Sequence, residues 1–454
     1  MMRAQATDVL IVGAGAAGLA AARELGAANL SVRVLEARER IGGRIYTVRD
    51  EASPVAVELG AEFIHGRPRE TWEIVRRAGL TVSDVLDKHL SVRRGALVET
   101  GDISEELNER MRAAVRAGER DRSFRDFLAE HFQGERWREA REEATAFVEG
   151  FHASRAERIG VHGLVKTNEA SARIHEENSF RVPGGYDLVV NRLRDELDPE
   201  RVEINLETVV KELRWRRGAV EAWAETAGGD AIEPFRAARA IVTLPLGVLQ
   251  ASEGERGAVN FDPELTDKRD AVRRLEMGQA VRVVLRFREP FWQSIELMGE
   301  GARRESLREW GFIHTDNEWL PSWWTQLPVR APVLVGWAGG ATAEKLARHG
   351  AEFTVERAKD DLARLLGVAR VRVDEELEAT YAHDWHADPF ARGAYSYVPV
   401  GGLEAQQTLA EPVEETLFFA GEATNLEGHL GTVHGALSTG VRAAREVIRS
   451  FTKS

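Results

Sequence analysis

The chain opens on an apolar run, Val9-Leu10-Ile11-Val12, that gives way at once to glycine and alanine. With no polar position inside it, the run predicts a strand covered on both faces, as parallel sheets require. Gly13-Ala14-Gly15-Ala16-Ala17-Gly18 follows, leading into a small-residue helix, then a second apolar run, Val32-Arg33-Val34-Leu35, closed by Glu36. Strand, turn, helix, strand and acid in this order predict a dinucleotide site. Gly13 permits the tight turn, Gly15 lets backbone approach a pyrophosphate, and Gly18 lets helix pack on strand. Ala17 lies in the first helical turn, whose free N–H groups and dipole favour an anion. Glu36 can accept hydrogen bonds from a ribose diol.

Further along, the pattern changes. From about Thr71 to Asn178, Glu, Arg, Ala and Leu dominate, and Glu105–Glu119 and Glu135–Phe151 repeat apolar residues at helical spacing. This predicts a helical insertion with solvated faces. Strand-like text returns at Phe180–Gly185, Val202–Leu206 and Ala240–Leu246, with a hairpin at Val209–Leu213 and Ala219–Ala224. Val281–Phe287 and Val333–Trp337 predict a second sheet, and Val355–Leu366 an amphipathic helix. Near the end, Thr416–Thr424 reads as a buried strand breaking at Gly421 before Glu422, and Gly431–Ala444 as a small-residue helix. A strand with an acid and a Gly-rich helix at each end of the chain predict that both ends close on one cofactor.

At 454 residues the chain exceeds one ordinary domain. Its 43% hydrophobic and 30% charged residues are those of a soluble globular protein. The net charge of −13 argues against nucleic acid. It suits a cationic small substrate, although a solvated acidic surface is the plainer meaning. Cysteine is absent, which removes disulfides, thiolate nucleophiles and Cys-based metal sites. No metal site is predicted. A cytoplasmic home follows as the simplest expectation. Met1–Asp8 lacks the core of a signal peptide, no run is apolar enough to span a bilayer, and the end Arg449–Ser454 is polar.

Further motifs add up to a resemblance. Gly42-Gly43-Arg44 follows Glu36, and Glu58-Leu59-Gly60-Ala61 comes next. Thr243-Leu244-Pro245-Leu246-Gly247-Val248-Leu249 and Glu289-Pro290-Phe291-Trp292 lie in the middle. Trp385, Gly393-Ala394-Tyr395-Ser396, Ala420-Gly421-Glu422 and Thr432-Val433-His434-Gly435-Ala436 close the chain. Together they resemble the flavin-containing amine oxidase family of monoamine and polyamine oxidases, nearest to bacterial polyamine-oxidase-like members.

The resemblance implies an α/β fold, α+β overall: a Rossmann-type FAD-binding domain and a substrate domain of mixed sheet plus a helical insertion. The FAD-binding domain would take residues 1–80, 179–275 and 388–454. The substrate domain would take the helical part 81–178 and the sheet part 276–387. It also implies that Gly13, Gly15, Ala17, Gly18 and Gly43 cradle FAD, with Glu36 on the ribose and Arg44 on the phosphates beside Arg38. Gly60, Ala61, Glu62 and Phe63 would run along the isoalloxazine, with Val210 on the adenine side. Gly421 and Glu422 would meet the ribityl or phosphate region, and Thr432 and Val433 the pyrimidine edge. Trp385 and Tyr395 would be the aromatic residues at the flavin. The implied reaction moves a hydride equivalent from the carbon alpha to a neutral amine, with imine hydrolysis and reoxidation by dioxygen. Partners would be a small amine and dioxygen, with no nucleic acid and no membrane, in a monomer or homodimer.

Departures from the family pattern carry information. Ala394 stands where mitochondrial monoamine oxidases place a flavin-bonding Cys, so FAD is expected to be non-covalent. Arg282 stands where the family usually has a lysine. It cannot serve as a base, but could orient water or dioxygen or stabilise a reduced flavin; the alternative is an outward-pointing side chain on a shifted strand. Ile64-His65-Gly66 resembles the polyamine branch and makes His65 a catalytic or substrate-contacting candidate. Glu62-Phe63 lowers an L-amino-acid oxidase reading, which wants an arginine there. The second aromatic wall of monoamine oxidases falls at Thr432, which leaves that sandwich incomplete. Glu149 and Phe151 are candidates for the substrate channel, with His152 beside them, against a plain helix terminus. His434 faces either the flavin or the helix interior. Rival readings are a desaturase or dehydrogenase of a bulky apolar substrate, and a non-enzymatic flavin-binding redox module.

Overall fold

The computed structural model describes residues 7–98, 103–299 and 304–452; the readings at the extreme ends of the chain lie outside them in part. The opening apolar run becomes the strand Thr7–Val12, with Val9, Leu10 and Ile11 wholly buried. Strands Val32–Leu35 and Ala231–Val242 flank it, both parallel. Because successive side chains point to opposite faces, Val9 and Ile11 enter one core and Leu10 and Val12 another. The full order is Val202–Asn205, Val32–Leu35, Thr7–Val12, Ala231–Val242, Ala219–Thr226, Thr208–Arg216 and Asn260–Asp262, with Leu417–Phe419 also paired to Ala231–Val242. The strands up to Asp262 thus leave a place in the sheet that Leu417–Phe419 fills.

The two chain ends also meet through helices. Ala16–Ala27 packs on the long helix Val433–Thr452. A Cβ on Gly440 would stand 2.1 Å from the Ala17 carbonyl oxygen, so the small residues of both helices are there to let backbones touch.

A second sheet runs Leu377–Ala382, Ala280–Phe287, Val333–Gly339, Ser322–Thr325, Phe312–Thr315, His89–Arg93 and Ala96–Val98. The last two strands come from a region whose composition predicts helix. His89-Leu90-Ser91-Val92-Arg93 alternates exposed and buried positions, a period-two signal that the charge-rich surroundings mask. The rest of that region is helical: Ser104–Arg116, Phe124–His131, Arg138–His152 and Val161–Arg173 enclose Phe124, Phe127 and Phe132. Among the described residues no helix is long and apolar enough to cross a membrane, and no group of His, Asp and Glu could hold a metal ion.

Candidate active site

The glycine turn is built by contact. A Cβ on Gly18 would lie 1.9 Å from the Gly13 carbonyl oxygen, so helix and turn approach as only glycine allows. Gly15 bridges to Gly42, and the Gly42 N–H donates to the Ala14 carbonyl at 2.9 Å. Beside Gly15 a Cβ would meet nothing within 4 Å, so this turn presents open space rather than packed side chains. Glu36 is buried at the end of its strand and accepts the Ala14 N–H at 2.8 Å and the Arg38 N–H at 3.0 Å. Thr208 N–H reaches the Glu36 carbonyl at 2.8 Å, which sets the strand of buried Val210 alongside. An open glycine face at a helix start, with a fixed carboxylate one strand away, fits the pyrophosphate and ribose of FAD.

Arg38 is turned elsewhere. It grips Asp388 through two hydrogen bonds of 2.8 Å. Burial pushes the Asp388 carboxyl up, yet His383 and Arg38 outweigh it and hold the group well below the usual carboxylate range. Arg44 uses one terminal nitrogen to reach Glu422 at 2.8 Å and the Ala394 carbonyl at 3.0 Å. Glu422 also accepts Ser396 Oγ at 2.6 Å and Gly431 N–H at 2.9 Å. This buried acid joins the first glycine-rich segment, the 394–396 loop and the approach to the last helix. Thr432 caps that helix: its hydroxyl accepts the Gly435 N–H at 3.0 Å. Val433 is the first helical residue.

Between these ends runs Leu59–Phe63. A Cβ on Gly60 would sit 2.0 Å from the Arg44 carbonyl oxygen. Trp385 is buried against this segment and donates Nε1–H to the Leu59 carbonyl at 2.8 Å, with its ring edge-on to His383. Glu62 turns into the protein. Arg181 meets its Oε1 at 2.5 Å, while Trp324 Nε1–H, at 3.0 Å, and Arg282 share its Oε2. Burial alone would raise the Glu62 carboxyl, but Arg282 and Arg181 overcome it and hold it at about 2. Arg282 is 5% exposed and also donates to the Gly60 carbonyl at 3.3 Å, so it faces inward from its strand. Arg181 Nη2 and Arg282 Nε are buried without partners. Both residues line a cavity of about 20 Å³ shared with Glu58, room for a single water. Burial pushes Glu58 up to about 7.

The third part of the site is aromatic and histidine-rich. His65 lies between Phe63 and Phe151, with ring centroids 5.8 and 5.9 Å away. Burial lowers His65 and His152 to about 4, so both are neutral at physiological pH. Phe151 stacks in parallel on Phe147, and the two are 42% and 62% exposed. Tyr395 donates its hydroxyl to the Phe151 carbonyl at 2.7 Å, and Gly431 gives its ring room, because a Cβ there would come within 2.8 Å. Burial and Glu422 raise the Tyr395 phenol. His434 is buried with Nε2 unpartnered and its ring edge-on to His429. Glu149 accepts the Ala156 N–H at 3.0 Å, a bond that secures the turn after its helix.

Composition and spacing did not single out several members of this arrangement. Arg181, between Phe180 and Val182 at the end of a short strand, carried a signal: a charge at a buried position needs a partner. Trp324 and Asp388 carried none, because each acquires its place only through the tertiary fold.

A family model for flavin containing amine oxidoreductases matches residues 16–448. Probable polyamine oxidase 4 of Arabidopsis thaliana is 31% identical, covering 97% of this chain and 87% of that protein. Polyamine oxidase 3 of Oryza sativa subsp. japonica is 28% identical, with 97% and 88% covered. The chain also matches Lysine-specific histone demethylase 1 homolog 2 of the same plant at 28% identity over 98% of its own length, but spans only 57% of that larger protein. A solved structure of putrescine oxidase bound to putrescine superposes with a TM-score of 0.78 at 22% identity, covering 98% of this chain and 99% of that one. Cyclohexylamine oxidase from Brevibacterium oxydans gives 0.77 at 19%, with 99% and 100% covered. At these identities the structural likeness is one of fold.

Proposed function

The chain belongs to the flavin containing amine oxidoreductases, and from that premise we propose that it oxidises a small amine, a polyamine or another primary or secondary amine, using non-covalent FAD and dioxygen. The observation that carries this reading is the Arg44–Glu422 pair. It ties residues 378 positions apart into one wall beside the open face of Gly15. With no cysteine in the chain and Ala394 at the relevant turn, a thioether to the flavin has no donor.

The chemistry that bound FAD supplies is removal of a hydride equivalent from the carbon alpha to nitrogen, with dioxygen as final acceptor. The residues of this chain do the rest. Gly13, Gly15, Ala17 and Gly18 offer backbone to the phosphates, Glu36 takes the ribose, and Val210 borders the adenine side. The accessible side of Arg44, beside Gly43 and Gly421, balances phosphate charge. Gly60 and Ala61 give a flat backbone surface for the ring system, with Phe63 at its end, and Trp385 fixes that surface from behind. Thr432 and Val433 present the start of the last helix to the electron-rich ring edge. Arg282 is held by Glu62 and acts as a fixed positive charge under Gly60 rather than as a mobile base. On the substrate side Tyr395, Phe151 and His65 form walls that shed water around the amine and align its C–H bond. A substrate site with two neutral histidines, His65 and His152, and Glu149 nearby is not the uniformly apolar cavity that a desaturase of bulky substrates requires.

The test is peroxide release by the FAD-loaded protein with diamines, polyamines, arylalkylamines and amino acids in air. Peroxide with at least one amine, and flavin freed intact by acid precipitation, are the expected results. Flavin remaining with the precipitate would contradict non-covalent binding.

A further inference from the structure

Glu176 stands beside His65. Its carboxylate Oε1 lies 4.0 Å from His65 Nδ1, and its side chain is 14% exposed. Among the described residues no arginine or lysine reaches it within ion-pair distance. Ser179 Oγ, 3.4 Å from the same Nδ1, braces the ring on that side. The other titratable groups around the pair are few. Glu177 repels Glu176 through the field, and His434 couples to His65. His429 stands behind His434, with Glu427 and Arg173 acting on it in turn. Burial and Glu177 push the Glu176 carboxyl up to about 7, while burial keeps His65 from carrying charge.

An amine arrives as an ammonium ion, since alkylammonium groups titrate near pH 10, but must lose a proton before its carbon can be oxidised. An imidazole that cannot stay charged is a poor final acceptor for that proton, though it can pass one on. Resting on the amine-oxidising reading above, we propose that Glu176 accepts, through His65, the proton that the incoming ammonium must lose. His65 Nε2 takes a proton from nitrogen as Nδ1–H gives its own, through one bridging water, to Glu176 Oε1, since 4.0 Å is too long for a direct hydrogen bond. Ammonium and carboxylate become amine and carboxylic acid, the imidazole only exchanges tautomers, and no electrons move. Charge is thereby cancelled inside the site, which suits a water-poor cleft. The exposed edge of Glu176 then returns the proton to solvent. Glu176 is a positioning residue that acts through His65.

The test is anaerobic stopped-flow reduction of the FAD-loaded protein by its best amine between pH 5.5 and 10. The wild type is expected to gain efficiency with pH through a midpoint near 7. In E176Q that limb disappears, and efficiency at pH 7 falls by roughly 10²-fold, the usual worth of a positioned proton acceptor. The variant should rejoin the wild type as the amine itself deprotonates near pH 10. E176D keeps the limb, and H65Q with E176Q is no worse than either alone. E176Q with the limb intact and near-normal efficiency overturns the proposal. Should E176Q fail to hold FAD, the wild type decides alone: a solvent isotope effect at pH 7 that vanishes at pH 10 is expected, and its absence at pH 7 overturns the proposal. A wild type bleached by no amine instead refutes the amine-oxidising reading itself.

Discussion

Two neighbouring glutamates show how environment assigns opposite roles to one residue type. Glu62 and Glu58 are both buried at a distance of four residues. Glu62 is clasped by two arginines and ionised down to about 2, whereas Glu58 has only Thr47 and the Tyr186 N–H and is raised to about 7. Removing Glu62 leaves two buried guanidinium groups against one another. E62Q is therefore expected to lose about 3–5 kcal/mol, read by urea unfolding at pH 7. The Glu62 contribution is present above the ordinary carboxylate pKa and fades as pH drops toward 2. Glu58 has the opposite sign. Its folded pKa lies above the unfolded one, so its contribution is intact below about pH 4.5 and lost as pH rises through about 7. E58Q should therefore be more stable than wild type at pH 8 and equal to it near pH 4.5. A variant no more stable at pH 8 would show that Glu58 is ionised there at no cost.

At the scale of elements, the joints matter more than the pieces. The Leu59–Phe63 segment is held by Trp385 beneath, Arg44 alongside and Glu62 within. G60A would drive a methyl into the Arg44 carbonyl. The variant is expected to purify with little FAD while Ser104–Arg116 and its neighbouring helices keep their far-ultraviolet signal; full FAD content would place this segment away from the cofactor. The elements differ in how readily the chain reveals them. Thr7–Val12, Ala16–Ala27 and Val32–Leu35 were legible because apolar run, small residues and acid agree locally. His89–Arg93 was not, because its alternation is short and set among charges, and its partner Phe312–Thr315 lies more than two hundred residues away. The same holds among the candidate residues. His65, Trp385 and Tyr395 sit in motifs, whereas Glu149, readable from sequence as either a channel residue or a helix terminus, accepts the Ala156 N–H just past its helix. Glu176 and Arg181 gain meaning only when Phe63–His65 pairs with Ser179–Arg181.

For the whole molecule, charge and closure are the governing features. With a net charge of −13, the surface draws cations toward it. The efficiency of oxidation should fall as salt rises from about 0.01 to 0.15 M, as screening shortens from about 30 to about 8 Å. The fall should be steeper for a dication such as putrescine than for a monoamine of similar length. Equal slopes would mean that the field of the molecule plays no part in capture. Closure is the joining of the first and last segments through Ala16–Ala27 on Val433–Thr452 and through Arg44 on Glu422. In the proposed function it makes one cofactor cleft from two distant stretches of sequence, with the histidines and aromatics at its side. The measurement that bears most directly on this account is anaerobic mixing of the FAD-loaded protein with a panel of amines while the flavin absorbance is followed. Bleaching by at least one amine, restored on admitting air, is the predicted result. A flavin that stays oxidised with every diamine, polyamine and arylalkylamine would contradict it.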